Sequence, residues 1–103
     1  MHIISRKRLK EFWEAYPDAK GALESWYKTA KKAKWKHITE VRQTYSHADA
    51  VGSCTVFNIA GNKYRLITKI EYRIQCIFIK QALTHAEYDQ EEWKHGCVSK
   101  RDK

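Results

Sequence analysis

The apolar positions of this 103-residue chain change period once, from a helical spacing in the first part to a strand-like alternation in the second. Leu9, Phe12, Trp13 and Tyr16 recur at i, i+3, i+4 and i+7, which is one face of a helix. Ile3 and Ile4 precede it as a short opening strand, and Ser5 stands where an N-cap would. Pro17 ends the helix, because it lacks an N–H and disfavours helical backbone in the residue before it. Asp18 can cap a second helix, whose stripe is Ala19, Ala22, Leu23, Trp26, Ala30 and Ala33. Lys20, Glu24, Lys28, Lys31, Lys32 and Lys34 occupy most of its other faces. The natural arrangement is two short antiparallel helices joined by a tight turn, with Trp13 and Trp26 in the core between helices and sheet.

Between residues 35 and 53 the periodicity is poor, and Thr44, Ser46, Asp49, Gly52 and Ser53 are turn formers. This reads as a long connection with room for one short turn of helix or strand, and such connections are often functional. Residues 55–60 are β-branched and aromatic, and Gly61-Asn62 follows as a two-residue hairpin signal. Residues 63–72 then alternate. Tyr64, Leu66, Thr68, Ile70 and Tyr72 point one way; Lys63, Arg65, Ile67, Lys69 and Glu71 point the other. Residues 74–83 are nearly continuous in apolar side chains, as in a central strand, with Lys80 the main charged interruption. Thr84-His85-Ala86-Glu87 fits a capping box and opens a helix running to about Lys94. The order β-α-α, three-stranded antiparallel meander, α predicts a single α+β domain over residues 1–103. Two N-terminal helices cover one face of a small antiparallel sheet, a short C-terminal helix follows, and residues 96–103 form a polar, frayed tail.

A hydrophobic content of 43% with 13% aromatics excludes a disordered chain. The formal net charge of +8 suits either a solvated basic surface or the footprint of a polyanion, nucleic acid first, although an acidic protein partner satisfies the same charge. Cys54, Cys76 and Cys97 are odd in number and form no CxxC, so a disulfide framework is not expected and the chain reads as cytoplasmic. Cys76, in an apolar run, reads as a small buried residue. No apolar stretch of signal-peptide or membrane-spanning length follows the basic segment 1–10, so no membrane association is expected.

If the helices cover one face, the other carries the basic parity: Lys63, Arg65 and Lys69, with Lys80 on the last strand. His85 lies just past that strand and Tyr88 one helical turn later, so Arg65, Lys80, His85 and Tyr88 are expected to converge at one end of the sheet. Such a set can cleave RNA without a cofactor or a metal. The ribose 2′-OH attacks the adjacent phosphate and His85 or a lysine takes its proton. Arg65 and Lys80 stabilise the charge growing on the phosphate oxygens, and Tyr88 stacks on a base or positions the phosphate. Against this, a histidine at a helix start is usually a surface residue, a basic strand parity is often just solvated, and Tyr88 can equally be core. The run holding Lys28, Lys32 and Lys36 is a solvated helix face more often than an RNA- or ribosome-binding one, though Trp35 within it favours RNA slightly. His37 and His47 have no partner at metal-ligand spacing, so no metal site is expected.

Residues 56–67, from Val56 through Gly61, Asn62, Lys63 and Arg65 to Ile67, resemble the signature hairpin of HigB-type toxins. Thr84-His85-Ala86-Glu87-Tyr88-Asp89 resembles their second signature block, and Leu9, Trp13, Tyr16-Pro17, Leu23 and Trp26 resemble their opening. The resemblance covers residues 1 to about 93. It implies the RelE-like fold and ribosome-dependent messenger-RNA cleavage that inhibits translation. It also implies neutralisation by a HigA-type helix-turn-helix antitoxin, whose complex with the toxin binds operator DNA. On this resemblance Arg65 matches a phosphate-binding arginine, Lys80 another basic site residue, Tyr88 an RNA-positioning tyrosine and His85 a proton-transfer group. A non-catalytic RNA- or ribosome-binding module of the same fold would keep the basic face and tolerate loss of His85 and Tyr88. A DNA-binding regulator is disfavoured, because both N-terminal helices spend their apolar faces on the core and leave no recognition helix.

Overall fold

A computed structural model describes residues 1–98 of the chain. Strand β1 (His2–Ile4) leads into α1 (Lys7–Ala15), a 3-10 turn (Pro17–Ala19) and α2 (Lys20–Lys32). Next come α3 (Ile38–Thr44), β2 (Asp49–Val51), β3 (Cys54–Ile59) and β4 (Tyr64–Glu71). A second 3-10 turn (Tyr72–Ile74) precedes β5 (Cys76–Thr84), α4 (His85–Asp89) and a last 3-10 turn (Glu92–Gly96). The sheet order is β1-β5-β4-β3-β2, which makes β4 the middle strand. β1 runs parallel to β5, from His2↔Cys76 to Ile4↔Phe78, while every other pairing is antiparallel. The architecture is the expected α+β one, with the sheet mixed rather than wholly antiparallel because its opening strand docks on the last.

Alternation along β4 sets the core. Tyr64, Leu66 and Ile70 pack with Phe57 of β3, Ile77 and Ile79 of β5, and Leu9, Leu23 and Trp26 of α1 and α2. Trp26 is 1% exposed, whereas Trp13 is only partly buried, at the edge of this cluster. Trp35 is not a surface aromatic: it is buried and stacks on Phe57 with ring centres 6.4 Å apart. It belongs to the 35–53 connection, which holds both a helix and an edge strand. The weak stripe Ile38, Val41, Tyr45 suffices because Val41 is fully buried against the larger core.

Several local expectations give way to tertiary geometry. Ser5 does not cap α1. It adopts a left-handed φ of 72°, and Arg6 takes the cap position without a side-chain bond. With β1 held on β5, Ser5 and Arg6 alone must turn the chain into α1, and that tight turn uses the left-handed region. Asp18 does not cap α2, since the 3-10 turn runs straight into the helix; its carboxylate instead accepts from Lys63 Nζ and from Tyr64 Oη at 2.6 Å. The β3–β4 hairpin closes at Ile59↔Tyr64, so residues 60–63 form the loop, with Ala60 and Gly61 at positive φ. Lys63 therefore lies in a turn, outside the strand alternation. β5 starts at Cys76 because Gln75 is left-handed after the 3-10 turn, and α4 ends at Asp89 because Glu91 adopts φ 63°. The expected tail from residue 96 is anchored at Cys97, which is 4% exposed; residues 99–103 of that expectation lie outside the described ones.

The Asp18 contacts tie the hairpin to the first helical layer. Lys63 and the Tyr64 hydroxyl hold the Asp18 carboxyl below its ordinary value of 3.8, and the same carboxylate holds Lys63 and Tyr64 above theirs. A depressed carboxyl contributes stability above its unfolded pKa and loses it as pH falls through the folded one; the raised Lys63 and Tyr64 lose theirs only on the alkaline side. Asp18→Asn should lower Tm at pH 7, and the gap to the parent chain should close as pH falls well below 3.8, measured by thermal melts across pH.

Candidate active site

The sheet face turned away from the helices is not simply open. Arg65, Ile67, Lys69 and Glu71 of β4 lie on it, and a second, smaller core forms at its middle from Cys54, Val56, Ile67, Leu83, Trp93 and Cys97. The chain after β5 supplies the cover. The capping box holds the start of α4: Glu87 N–H donates to Thr84 Oγ1 at 3.2 Å, and Thr84 N–H to Glu87 Oε1 at 3.0 Å. The His85 N–H donates to the Lys63 carbonyl, which fixes α4 beside the hairpin. Past Glu91 the chain crosses the face, and Cys97 ends the crossing on the β2–β3 turn. There the Ser53 N–H and Oγ–H both donate to the Cys97 carbonyl, and Cys97 is disulfide-bonded to Cys54 with Cα atoms 5.2 Å apart. Gly52 makes this approach possible: a Cβ there would stand 2.2 Å from the Cys97 oxygen, at a φ of 58°.

The disulfide overturns the expectation drawn from an odd cysteine count. The partners are separated by 43 positions and meet only because residues 85–97 fold back over β3, leaving Cys76, half-exposed, as the free thiol.

At the hairpin end of this face, Arg65 and Tyr88 come together. Arg65 pairs with Asn58 across β3 and with Leu83 across β5. Its Nη1 donates to the Asn62 and Tyr64 carbonyls, and its guanidinium carbon lies 5.1 Å from the centre of the Tyr88 ring. Such a cation–π contact at a partly exposed site is worth about 0.5–1 kcal/mol, enough to bias one side-chain orientation. Two backbone carbonyls leave most of the guanidinium's donors free to meet an anion. His85, one turn earlier on α4, is exposed, with Nδ1 3.1 Å from Asp89 Oδ2. That partner steadies the ring through Nδ1 and leaves Nε2 for another partner.

Lys80 is placed differently. β4 and β5 shift register between Ile67 and Thr68: Ile67 faces Gln81 and Thr68 faces Ile79, so Lys80 is the extra residue of a β-bulge. Arg8 of α1 donates to its carbonyl at 2.8 Å. Its Nζ donates to the Gly96 carbonyl at 3.1 Å and lines a shallow cleft with Lys69, Glu71 and Phe78. Lys69 stands 3.5 Å from the Glu71 carboxylate. Lys69 thus sits roughly 13 Å from Arg65 along β4 at the usual strand rise, and Lys80, opposite Ile67 and Thr68 on β5, lies between their levels, held to the covering segment at Gly96.

The other sequence-derived positions are dispersed. Lys63 faces Asp18 on the helical side of the hairpin. Lys28 and Lys32 are exposed on α2 and Lys36 just beyond it, in the layer on the opposite side of the sheet. Sequence reasoning missed Asn58, Asp89 and Trp93. Asp89 at i+4 from His85 was a legible signal, whereas nothing local marks Trp93 as a partner of Tyr88. Among the described residues no group of His, Cys, Asp and Glu gathers as a metal site requires.

A family model described as a RelE-like toxic component of a toxin–antitoxin system, the HigB toxin, matches residues 19–91. The chain belongs to the HigB toxin family. Its relatives include the mRNA interferase toxin HigB of Escherichia coli K12, 30% identical over 92 residues, which span 86% of this chain and 88% of that one. The mRNA interferase HigB of Escherichia coli O6:H1 is 31% identical over 93 residues, with 87% and 90% covered. As a HigB toxin it is one half of a two-component system, with a cognate antitoxin as its counterpart. The α+β architecture fits the RelE-like fold of that family. The matched segment includes Arg65, Lys80, His85 and Tyr88 but ends before Trp93 and Cys97. No described helix is long and apolar enough to cross a membrane.

Closing a loop of this length by a disulfide typically contributes about 2–4 kcal/mol. Cys97→Ser should therefore lower the urea midpoint of the oxidised toxin, and added reductant should bring the parent chain to the same midpoint.

Proposed function

We propose that this toxin is a ribosome-dependent messenger-RNA endoribonuclease, and that Arg65, His85 and Tyr88 form the reacting end of its site. The observation that carries the reading is the meeting of Arg65 with Tyr88 on the uncovered hairpin end of the sheet, beside the exposed His85–Asp89 pair. The relatives named mRNA interferase support the same activity. The ribose 2′-oxygen attacks the adjacent phosphorus, the bond to the 5′-oxygen breaks, and a 2′,3′-cyclic phosphate and a 5′-hydroxyl result. No cofactor enters this scheme. His85 Nε2 takes the 2′-OH proton, water protonates the departing 5′-oxygen, and Arg65 stabilises the charge on the non-bridging oxygens. Tyr88 offers one ring edge and its hydroxyl to the nucleotide at the scissile step.

Lys80 and Lys69 act farther along the same face, where they receive a flanking phosphate rather than the reacting one. Lys63, Lys28, Lys32 and Lys36 serve docking to the ribosome, whose RNA is the polyanion that a net charge of +8 suits. The chain is one domain over its 103 residues. The antitoxin is of the HigA helix-turn-helix type, and operator DNA is reached only through the toxin–antitoxin complex. The compartment is the cytoplasm, where the Cys54–Cys97 pair meets a reducing environment and the covering segment relies on its Ser53, Lys80 and Trp93 contacts.

The test is induced expression of the parent chain beside Arg65→Ala and His85→Ala, with primer extension on an abundant messenger. Arg65→Ala should lower cleavage by roughly 10²–10³-fold while antitoxin binding is kept. Undiminished cuts in that variant would put the site elsewhere, and growth arrest without cuts would favour a non-catalytic ribosome-binding module. Ribosome affinity should fall with salt at a log–log slope of roughly −0.7 to −0.9 per phosphate neutralised, measured by co-sedimentation; a flat response would remove the basic surface from docking.

A further inference from the structure

We infer that Trp93 is a positioning residue, which holds the Tyr88 ring in place beside Arg65; the inference rests on the ribonuclease reading above. α4 has five residues and is followed by a left-handed Glu91, so the helix alone does little to fix the direction of a side chain at Tyr88. The turn at Glu91 brings Trp93 back against it. The two rings stack with centres 4.9 Å apart and planes 13° from parallel, and Trp93 Nε1–H donates to the Tyr88 carbonyl at 2.8 Å. One indole thus grips both the ring and the backbone of the same residue. Trp93 is 5% exposed and packs among Cys54, Val56, Ile67, Leu83 and Cys97, so its own position is set by the sheet. That burial keeps an RNA base from reaching it, so any effect on the reaction passes through Tyr88. The chain of contacts runs from the sheet to Trp93, to Tyr88, and on to the Arg65 guanidinium. Lys94 Nζ, 5.8 Å from the Trp93 ring centre and 2.8 Å from Glu91 Oε1, braces the turn that makes this possible.

The experiment is single-turnover messenger cleavage on programmed ribosomes with Trp93→Phe, Trp93→Met, Tyr88→Leu and the Trp93→Met/Tyr88→Leu pair. Each chain is first checked by thermal melt. Methionine fills the buried space without a flat face, and phenylalanine keeps the face without the donor. Trp93→Met should lower the saturated cleavage rate by roughly 10²-fold, the cost of an ångström-scale misplacement, with little change in half-saturation. Trp93→Phe should recover most of that rate. In the Tyr88→Leu background, Trp93→Met should have almost no further effect, because the residue it positions is gone. An equal loss in both backgrounds would make Trp93 merely structural and overturn the inference. The second readout needs no activity and, in variants whose melts show them folded, serves even if the parent chain cuts no RNA. In 3-fluorotyrosine-labelled toxin, the Tyr88 fluorine resonance should move to the solvent-exposed position in Trp93→Met and stay near its parent position in Trp93→Phe. A resonance unmoved by Trp93→Met would equally overturn it. A parent chain that cuts nothing would sink the ribonuclease reading while leaving this contact decided by the fluorine shift.

Discussion

The two-sided middle strand β4 is the constraint on which the rest depends. Flanked by β3 and β5, it presents Tyr64, Leu66 and Ile70 to the helices, and Arg65, Ile67, Lys69 and Glu71 to the other side. Because side-chain direction alternates strictly, a slip of one residue would send Leu66 to the polar face and Arg65 into the core. Burying an unpaired guanidinium costs several kcal/mol, so hydrophobic burial on one face and charge on the other enforce the same register. The bulge at Lys80 interrupts this regularity on the neighbouring strand and turns one lysine toward the covering segment.

That covering segment crosses the basic face. Its apolar centre, Trp93 with the Cys54–Cys97 pair, lies on Val56, Ile67 and Leu83. Arg65 meets the Tyr88 ring of the segment at the hairpin end, and Lys69 and Lys80 line a cleft farther along the face. A small sheet with helices on one side would otherwise leave these apolar residues to water, at about 25 cal/mol for every Å² exposed. The segment therefore stabilises the fold and shapes the site at once. Its attachments differ in kind: a capping box and a backbone bond at α4, packing at Trp93, a lysine at Gly96, and a covalent link with a double hydrogen bond at Cys97.

The reacting end brings together groups with separate supports. Arg65 is carried by the most constrained strand of the sheet, Tyr88 by Trp93, and His85 by Asp89. None of the three hangs on a long loop. Preorganised charge at a phosphate needs this kind of rigidity, since its catalytic worth comes from donors that do not reorganise as the transition state forms. The Asp18 contacts with Lys63 and Tyr64 extend the support to the hairpin itself by tying its turn to the helical layer.

The sequence by itself determined the elements with strong periods and the alternation that separates Arg65 from Leu66, because those depend on neighbours a few residues apart. It also determined the capping box at Thr84, for the same reason, and the hairpin and α4 motifs by which the family is recognised. Only the tertiary structure decided the parallel docking of β1, the helix within residues 35–53, and the burial of Trp35. It also decided that Cys54 meets Cys97, that Lys63 turns to Asp18, that Lys80 becomes a bulge, and that Trp93 lies under Tyr88. Each of these joins positions far apart in the chain, or hinges on a single residue of left-handed backbone such as Ser5, Gln75 or Glu91. Local propensity carries no information about the first, and only a weak signal for the second.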